Sequence, residues 1–176
     1  CQVKINLGLN IVEKRDDGYH NLETIFYPVP YGDLLKIEIS DEKSSIDVTG
    51  LEIDCSPYKN LVWKTYRLIS NDYKLPPLQF FLNKTIPTGS GLGAGSANAA
   101  ATLLMMKTIM KEKYNKDITE EQLLSYCRQL GSDCAFFLHN KPLFAYQNGD
   151  YFDNFKLSLK GYFIYVVVPQ FSISTA

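Results

Sequence analysis

Residues 87–96 read Pro-Thr-Gly-Ser-Gly-Leu-Gly-Ala-Gly-Ser, so that Gly89, Gly91, Gly93 and Gly95 alternate with other, mostly small, residues. An apolar, β-rich segment at 78–82 precedes this run, and an Ala/Leu/Met-rich stretch that predicts a helix to about Lys113 follows it. Glycine accepts positive φ and lets the backbone come close to a ligand, so successive N–H groups can point into one concavity. The first turn of the helix adds unpaired N–H groups and the positive end of its dipole. A strand, a glycine loop and a helix N-terminus in that order make a polyphosphate cradle. The competing reading, a glycine-rich hairpin that holds nothing, accounts poorly for four alternating glycines running into a helix.

Two familiar phosphate loops do not fit. The Walker pattern is absent, because Ser96 and not Lys follows the last glycine. The dinucleotide fingerprint is met formally by Gly89, Gly91 and Ala94. It also requires a strand ending in an acidic residue about twenty positions on. This chain has the polar end of a helix there, followed by Asn115-Lys116-Asp117.

The flanking sequence predicts an α+β two-layer domain. Val3, Ile5, Leu7 and Leu9 alternate with Gln2, Lys4, Asn6 and Gly8, a half-buried strand that puts Lys4, Asn6 and Gly8 on one face. Asp16-Asp17-Gly18 predicts a turn, residues 22–29 a second strand, and residues 34–39 and 46–48 shorter ones. Asn60 opens a helix carrying Leu61, Val62, Tyr66 and Ile69 on its apolar side, and Pro76-Pro77 stops it. Thr119 and Gln122 predict a capping box for a later helix buried through Leu123, Leu124, Cys127 and Leu130, with Gly131 just past its end. Residues 143–146 and 162–168 are expected as closing strands. Strands first, then helices, then strands argue against regular βαβ repeats. The domain is expected over residues 1–165, with 166–176 as the truncated start of a C-terminal domain.

Composition narrows the partners. A hydrophobic content of 45% excludes general disorder, and a formal net charge of -1 gives no footprint for nucleic acid or an anionic membrane. The apolar runs are too short for a membrane span. Cys1, Cys55, Cys127 and Cys134 form no C-x-x-C pair, and with only His20 and His139 there is no zinc-ligand pattern. Scattered thiols and no visible leader suit a reducing cytoplasm.

The loop over residues 87–100 resembles the P-x-x-x-G-L-G-x-S/G-S loop of the GHMP kinases, the group of galactokinase and of homoserine, mevalonate and phosphomevalonate kinases. Three further stretches resemble one branch of that group, which acts on a cytidyl diphosphate sugar alcohol in the non-mevalonate isoprenoid route. Lys4-Ile-Asn-Leu-Gly-Leu9 is similar to its A-K-[IL]-N-L-x-L motif, Arg15-Asp-Asp-Gly-Tyr-His20 to R-x-D-G-[YF]-H, and Gly131-Ser-Asp133 to G-[AS]-D. The chain departs from the pattern at Cys134-Ala135, where an apolar residue and Pro are usual, and at Ala97, where Ser is commoner.

The resemblance implies the GHMP N-terminal fold, shared with a ribosomal protein domain, and an enzyme that uses ATP and Mg²⁺. It implies ATP contacts from Pro87, Thr88, Gly89, Ser90, Gly91, Leu92, Gly93, Ala94, Gly95, Ser96 and Ala97, with Asn60 beside the adenine pocket. It makes Asp133 the base and Lys4 the catalytic cation, and gives Asn6, Tyr19 and His20 to the substrate. Tyr19 would stack on the cytosine and His20 would hydrogen-bond its edge. No protein ligand for Mg²⁺ is implied. Each residue also has a plainer reading: Asp133 as a helix cap, Lys4 as a solvated edge-strand residue, Tyr19 and His20 as a hairpin tip. His139 receives no role. The alternatives are another GHMP kinase of the homoserine or mevalonate type, a non-enzymatic nucleotide- or RNA-binding module, and a Rossmann-type oxidoreductase.

Overall fold

The N-terminal alternation and the turn after it build a long antiparallel hairpin, β1 (Val3–Lys14) and β2 (His20–Val29), paired from Val3 opposite Val29 to Lys14 opposite His20. The computed structural model describes residues 1–168 except 17, 19 and 54. Register shifts fall between Leu7 and Leu9 and between Ile11 and Glu13. Gly8 occupies the first with a φ of 72°, a left-handed conformation that costs glycine nothing. From Gly8 to the end of β1 both faces are exposed, Leu9, Ile11 and Val12 included, although the period-2 pattern assigns Leu9 to the buried side.

Two sheets result. In one, β1 and β2 continue through β6 (Leu143–Gln147) and β7 (Tyr151–Asn154) in the order β1-β2-β6-β7, all antiparallel. The other has the order β3-β5-β4, from β3 (Leu34–Ile39), β4 (Ser45–Gly50) and β5 (Leu78–Lys84). Because β4 and β5 are parallel, the chain must cross over between them, and α1 (Leu61–Asp72) lies in that crossover. Asn60 caps α1 by accepting the N–H of Val62 at 2.9 Å.

The Ala/Leu/Met stretch forms α2 (Ala94–Tyr114), and the predicted capping box opens α3 (Glu120–Leu130) with both of its reciprocal hydrogen bonds present. Helix α4 (Cys134–His139) is implied in the sequence only by the reading of Asp133 as a helix cap; at six residues it is too short to show a helical period. Helix α2 carries both sheets. Ala99, Leu103, Met106 and Met110 pack with Phe80 of β5 and with Val62 and Ile69 of α1. Ala97 and Ala100 pack with Phe26 of β2, Phe136 and Leu143. The small side chains early in α2 let these neighbours approach closely, consistent with a helix buried on several sides.

One expected strand is absent. Residues 162–168 join no sheet, and Phe163, Tyr165 and Val167 are each more than four-fifths exposed. An apolar run becomes a strand only where a partner strand takes its N–H and C=O groups, and among the described residues none pairs with it. The boundary expected at 166 falls mostly on residues 169–176, which lie outside the described residues.

The layers are tied together by Asp33, which precedes β3 and is 1% exposed. Its carboxylate accepts the N–H groups of Thr85 (2.8 Å) and Ile86 (3.0 Å) and the side-chain amide of Asn98 (2.7 Å), and it pairs with Lys84. Burial alone would raise its pKa, but Lys84, Asn98 and the two backbone donors together hold it below the ordinary 3.8. A carboxylate whose folded pKa is depressed stabilises fully above its unfolded value, and this contribution fades as pH falls through the folded one. Asp33→Asn is therefore expected to be less stable at neutral pH and to lose less further stability below about pH 4 than the unsubstituted protein. Urea titrations across that range measure both slopes; parallel acid limbs would remove Asp33 from the acid response.

Candidate active site

The glycine run emerges from the end of β5 and enters α2. Gly89, Gly91 and Gly93 have φ values of 74°, 74° and 71°, the alternation of left-handed residues that lets neighbouring N–H groups converge. Gly93 is the N-cap of α2. A Cβ there would stand 3.0 Å from the Phe137 ring and 3.4 Å from the Lys4 side chain, whereas a Cβ on Gly91 would meet nothing within 4 Å. Leu92 is buried among Val3, Val29, Ile86 and Ala94, and its carbonyl accepts the N–H of Lys4 at 3.0 Å. One buried leucine and one backbone bond thus join the loop to β1.

That junction brings Lys4 to the helix N-terminus. Lys4 is 6% exposed, not the solvated residue its strand position suggests. Its Nζ donates to Asn6 Oδ1 at 2.7 Å, lies 3.4 Å from Asp133 Oδ2, and sits 4.5 Å from the centre of the Phe26 ring. The strand period puts Lys4 and Asn6 on one side, and the pairing of Asn6 with Phe26 sets the aromatic ring across from them. Asp133 precedes α4 with helical backbone angles (φ -71°, ψ -16°) and makes no side-chain cap bond, so the helix-cap reading does not describe it. Its side chain is 30% exposed, which gives this carboxylate access both to solvent and to a buried ammonium.

The turn before Asp133 rests against the start of α2. A Cβ on Gly131 would lie 3.9 Å from both Ser96 Oγ and Cys134 Sγ. Burial pushes the Cys134 thiol up to about 11, with the nearby Asp133 charge adding to the shift and a hydrogen bond with Ser96 opposing it. Burial likewise takes Cys127 to about 12. Both thiols stay protonated at neutral pH and are inert as nucleophiles. Leu61 reaches within 3.2 Å of where a Gly95 Cβ would be. The Asn60-Leu61 segment therefore sits beside the loop exit, with the Asn60 carbonyl committed to capping α1.

Lys4, Asn6, Gly93, Ser96 and Asp133 thus belong to one region. His20 does not: it is exposed and pairs with Lys14 at the opposite end of the hairpin. Tyr19 lies outside the described residues. His139 is an exposed residue whose ring faces Phe152 at 6.0 Å. Sequence reasoning missed Phe26 and Phe137, which look like ordinary core aromatics until cross-strand pairing brings the first to Lys4 and α4 brings the second to Gly93. Among the described residues, no group of three or more His, Cys, Asp or Glu side chains could hold a metal ion, and no helix is long and apolar enough to cross a membrane.

Comparison with known proteins agrees with this geometry. The family model of the GHMP kinases N terminal domain matches residues 60–141, from the α1 cap past α4. The 4-diphosphocytidyl-2-C-methyl-D-erythritol kinase of Bacteroides fragilis is 50% identical over 175 residues, 98% of this chain and 62% of that protein. Residues 60–141 thus match a GHMP kinase N-terminal domain, and nearly the whole chain is similar to these kinases. The corresponding kinase of Cytophaga hutchinsonii is 39% identical over 98% of the chain. A crystal structure of 4-(cytidine 5'-diphospho)-2C-methyl-D-erythritol kinase superposes with a TM-score of 0.73 at 30% identity, covering 89% of this chain and 54% of that one. Streptococcus pneumoniae phosphomevalonate kinase, at 15% identity and a TM-score of 0.52, shares the fold. The chain spans 62% of the length of the Bacteroides fragilis relative.

Within the matched region the departures from the family pattern are accommodated locally. Cys134 and Ala135 occupy the first turn of α4, where Pro is tolerated and Ala is an equally good helix former. The glycine positions make a discriminating test. Gly93→Ala is expected to destabilise the fold, because its Cβ strains φ and crowds Phe137 and Lys4. Gly91→Val strains a positive φ as well but meets no core atom, so it is expected to cost less stability than Gly93→Ala, yet to weaken nucleotide binding at least about tenfold, the order of a lost charged hydrogen bond. Thermal melts paired with calorimetric titration of a non-hydrolysable ATP analogue separate the two; unchanged affinity in Gly91→Val would show that the loop does not hold phosphate.

Proposed function

We propose that the protein transfers the γ-phosphoryl group of ATP to the 2-hydroxyl of 4-diphosphocytidyl-2-C-methyl-D-erythritol, a step of the non-mevalonate route to isoprenoid precursors. The observation that carries this reading is the Lys4–Asp133 pair, at 3.4 Å, beside the N-terminus of α2 and its glycine loop. The shared name of relatives at 50% and 39% identity supports the choice of acceptor.

Phosphoryl transfer depends mostly on positioning and on charge stabilisation. The N–H groups of the loop and of the first turn of α2 hold the polyphosphate, with Ser96 beside them. Asp133 accepts the proton of the attacking hydroxyl as the new O–P bond forms and the bond to the ADP oxygen breaks. Lys4, steadied by Asn6 and Phe26, offsets negative charge developing on the acceptor oxygen. ATP enters as its magnesium complex, the ion carried on the phosphates as part of the substrate. Tyr19 and His20 read the cytosine, the first by stacking and the second by an in-plane hydrogen bond. The four free cysteines suit a reducing cytoplasm.

Asp133→Asn and Lys4→Ala are each expected to lower kcat by about a hundred- to ten-thousandfold in the full-length enzyme, the usual contribution of a positioned base. The double substitution should lose far less than the product, because residues that act as one unit are not additive. A coupled ADP-release assay reads all three, and fully multiplicative losses would separate the pair. Tyr19→Ala should raise KM for the cytidyl acceptor about ten- to a hundredfold, the size of a base–aromatic stack. ATP affinity should be unaffected; if it falls instead, Tyr19 belongs to the nucleotide pocket.

A further inference from the structure

The glycine loop's most exposed residues, Pro87, Thr88, Gly89 and Gly91, include the positions with the least conformational restraint. Leu92 anchors the middle of the loop to β1, and a second set of contacts holds its two ends. Thr85 and Ile86 immediately precede the loop, and both give their N–H groups to one oxygen of Asp33. Asn98, in the second turn of α2 just beyond the loop, gives its amide to the other oxygen, which also takes Lys84 from the end of β5. One carboxylate thus spans the loop from its start to the helix it enters.

We infer that Asp33, acting through Asn98 and Lys84, is a positioning residue for the glycine loop, holding its two ends at the separation that aims its N–H groups at a polyphosphate. The inference rests on the reading of the loop as the ATP site. Stability alone is a weak reason for such a cluster, since a buried ion pair often stabilises no better than apolar side chains of the same volume. Asn98 shows the cost directly: it is 2% exposed, and its Oδ1 has no hydrogen-bond partner. A fully buried polar network is rigid and directional, and these are the properties a preorganised phosphate loop needs.

Asn98→Leu in the full-length protein cuts the tie to α2 and removes the orphaned oxygen, while the Lys84 pair and both backbone bonds stay in place. It is expected to fold but to melt at a lower temperature, because Oδ2 of the buried Asp33 loses a donor. Its Kd for the non-hydrolysable analogue AMP-PNP should rise about ten- to a hundredfold, the range for losing a hydrogen bond to a charged group. KM for ATP should rise in parallel, with KM for the acceptor unchanged. Asp33→Asn should weaken AMP-PNP binding at least as much, because an amide faces Lys84 and Asn98 with donors; if it does not fold, Asn98→Leu decides. A folded Asn98→Leu protein with the unsubstituted Kd overturns the inference and leaves the kinase reading standing, as does a lowered melting temperature with unchanged Kd. Failure of the unsubstituted protein to bind AMP-PNP overturns both.

Discussion

Asp33 is the point at which separate parts of this chain are held together. The residue sits ahead of β3, yet its partners come from the end of β5, the start of the glycine loop and the second turn of α2. A carboxylate removed from water is tolerable only when every lone pair has a donor, and here two backbone N–H groups, an amide and an ammonium supply them. That condition acts in both directions. The donors can be satisfied only if β5, the loop and α2 keep their relative positions, so the electrostatic demand of one side chain becomes a geometric constraint on the glycine loop.

The two buried lysines are used differently. Lys84 faces a carboxylate with almost no exposure and is neutralised in place. Lys4 is held by an amide oxygen, an aromatic face and a longer approach to a partly exposed Asp133. A cation held largely by neutral groups retains more of its field for an incoming negative charge. The contrast fits a structural role for Lys84 and, in the proposed function, a chemical one for Lys4.

Helix α2 links these two centres. Its N-terminus receives the loop, its early alanines allow Phe26 and Phe136 to pack against it, and its later methionines fill the space under β5. Displacing the helix along its axis would move the loop, the Asn98 contact and the Ser96–Gly131 approach together. The same element that supports the core therefore sets the geometry of the site.

Local chemistry was enough to determine much of this molecule. The capping box at Thr119 and Gln122, the Asn60 cap, the hairpin turn and the cradle-like glycine run all rest on interactions between residues close in sequence, so their residue types announce them. The shared side of Lys4 and Asn6 follows in the same way from the strand period. Tertiary structure alone decided the rest. The outer part of β1 was left exposed on both faces, Leu9 included, residues 162–168 found no partner strand among the described residues, Lys4 became buried over Phe26, and Asp133 turned to Lys4 without capping α4. Asp33, Lys84 and Asn98 are unremarkable in the sequence because the separations between them, 51 and 65 residues from Asp33, carry no local signature. Only the packing of both sheets on α2 brings such residues within hydrogen-bond reach, and only then do their charges acquire a purpose.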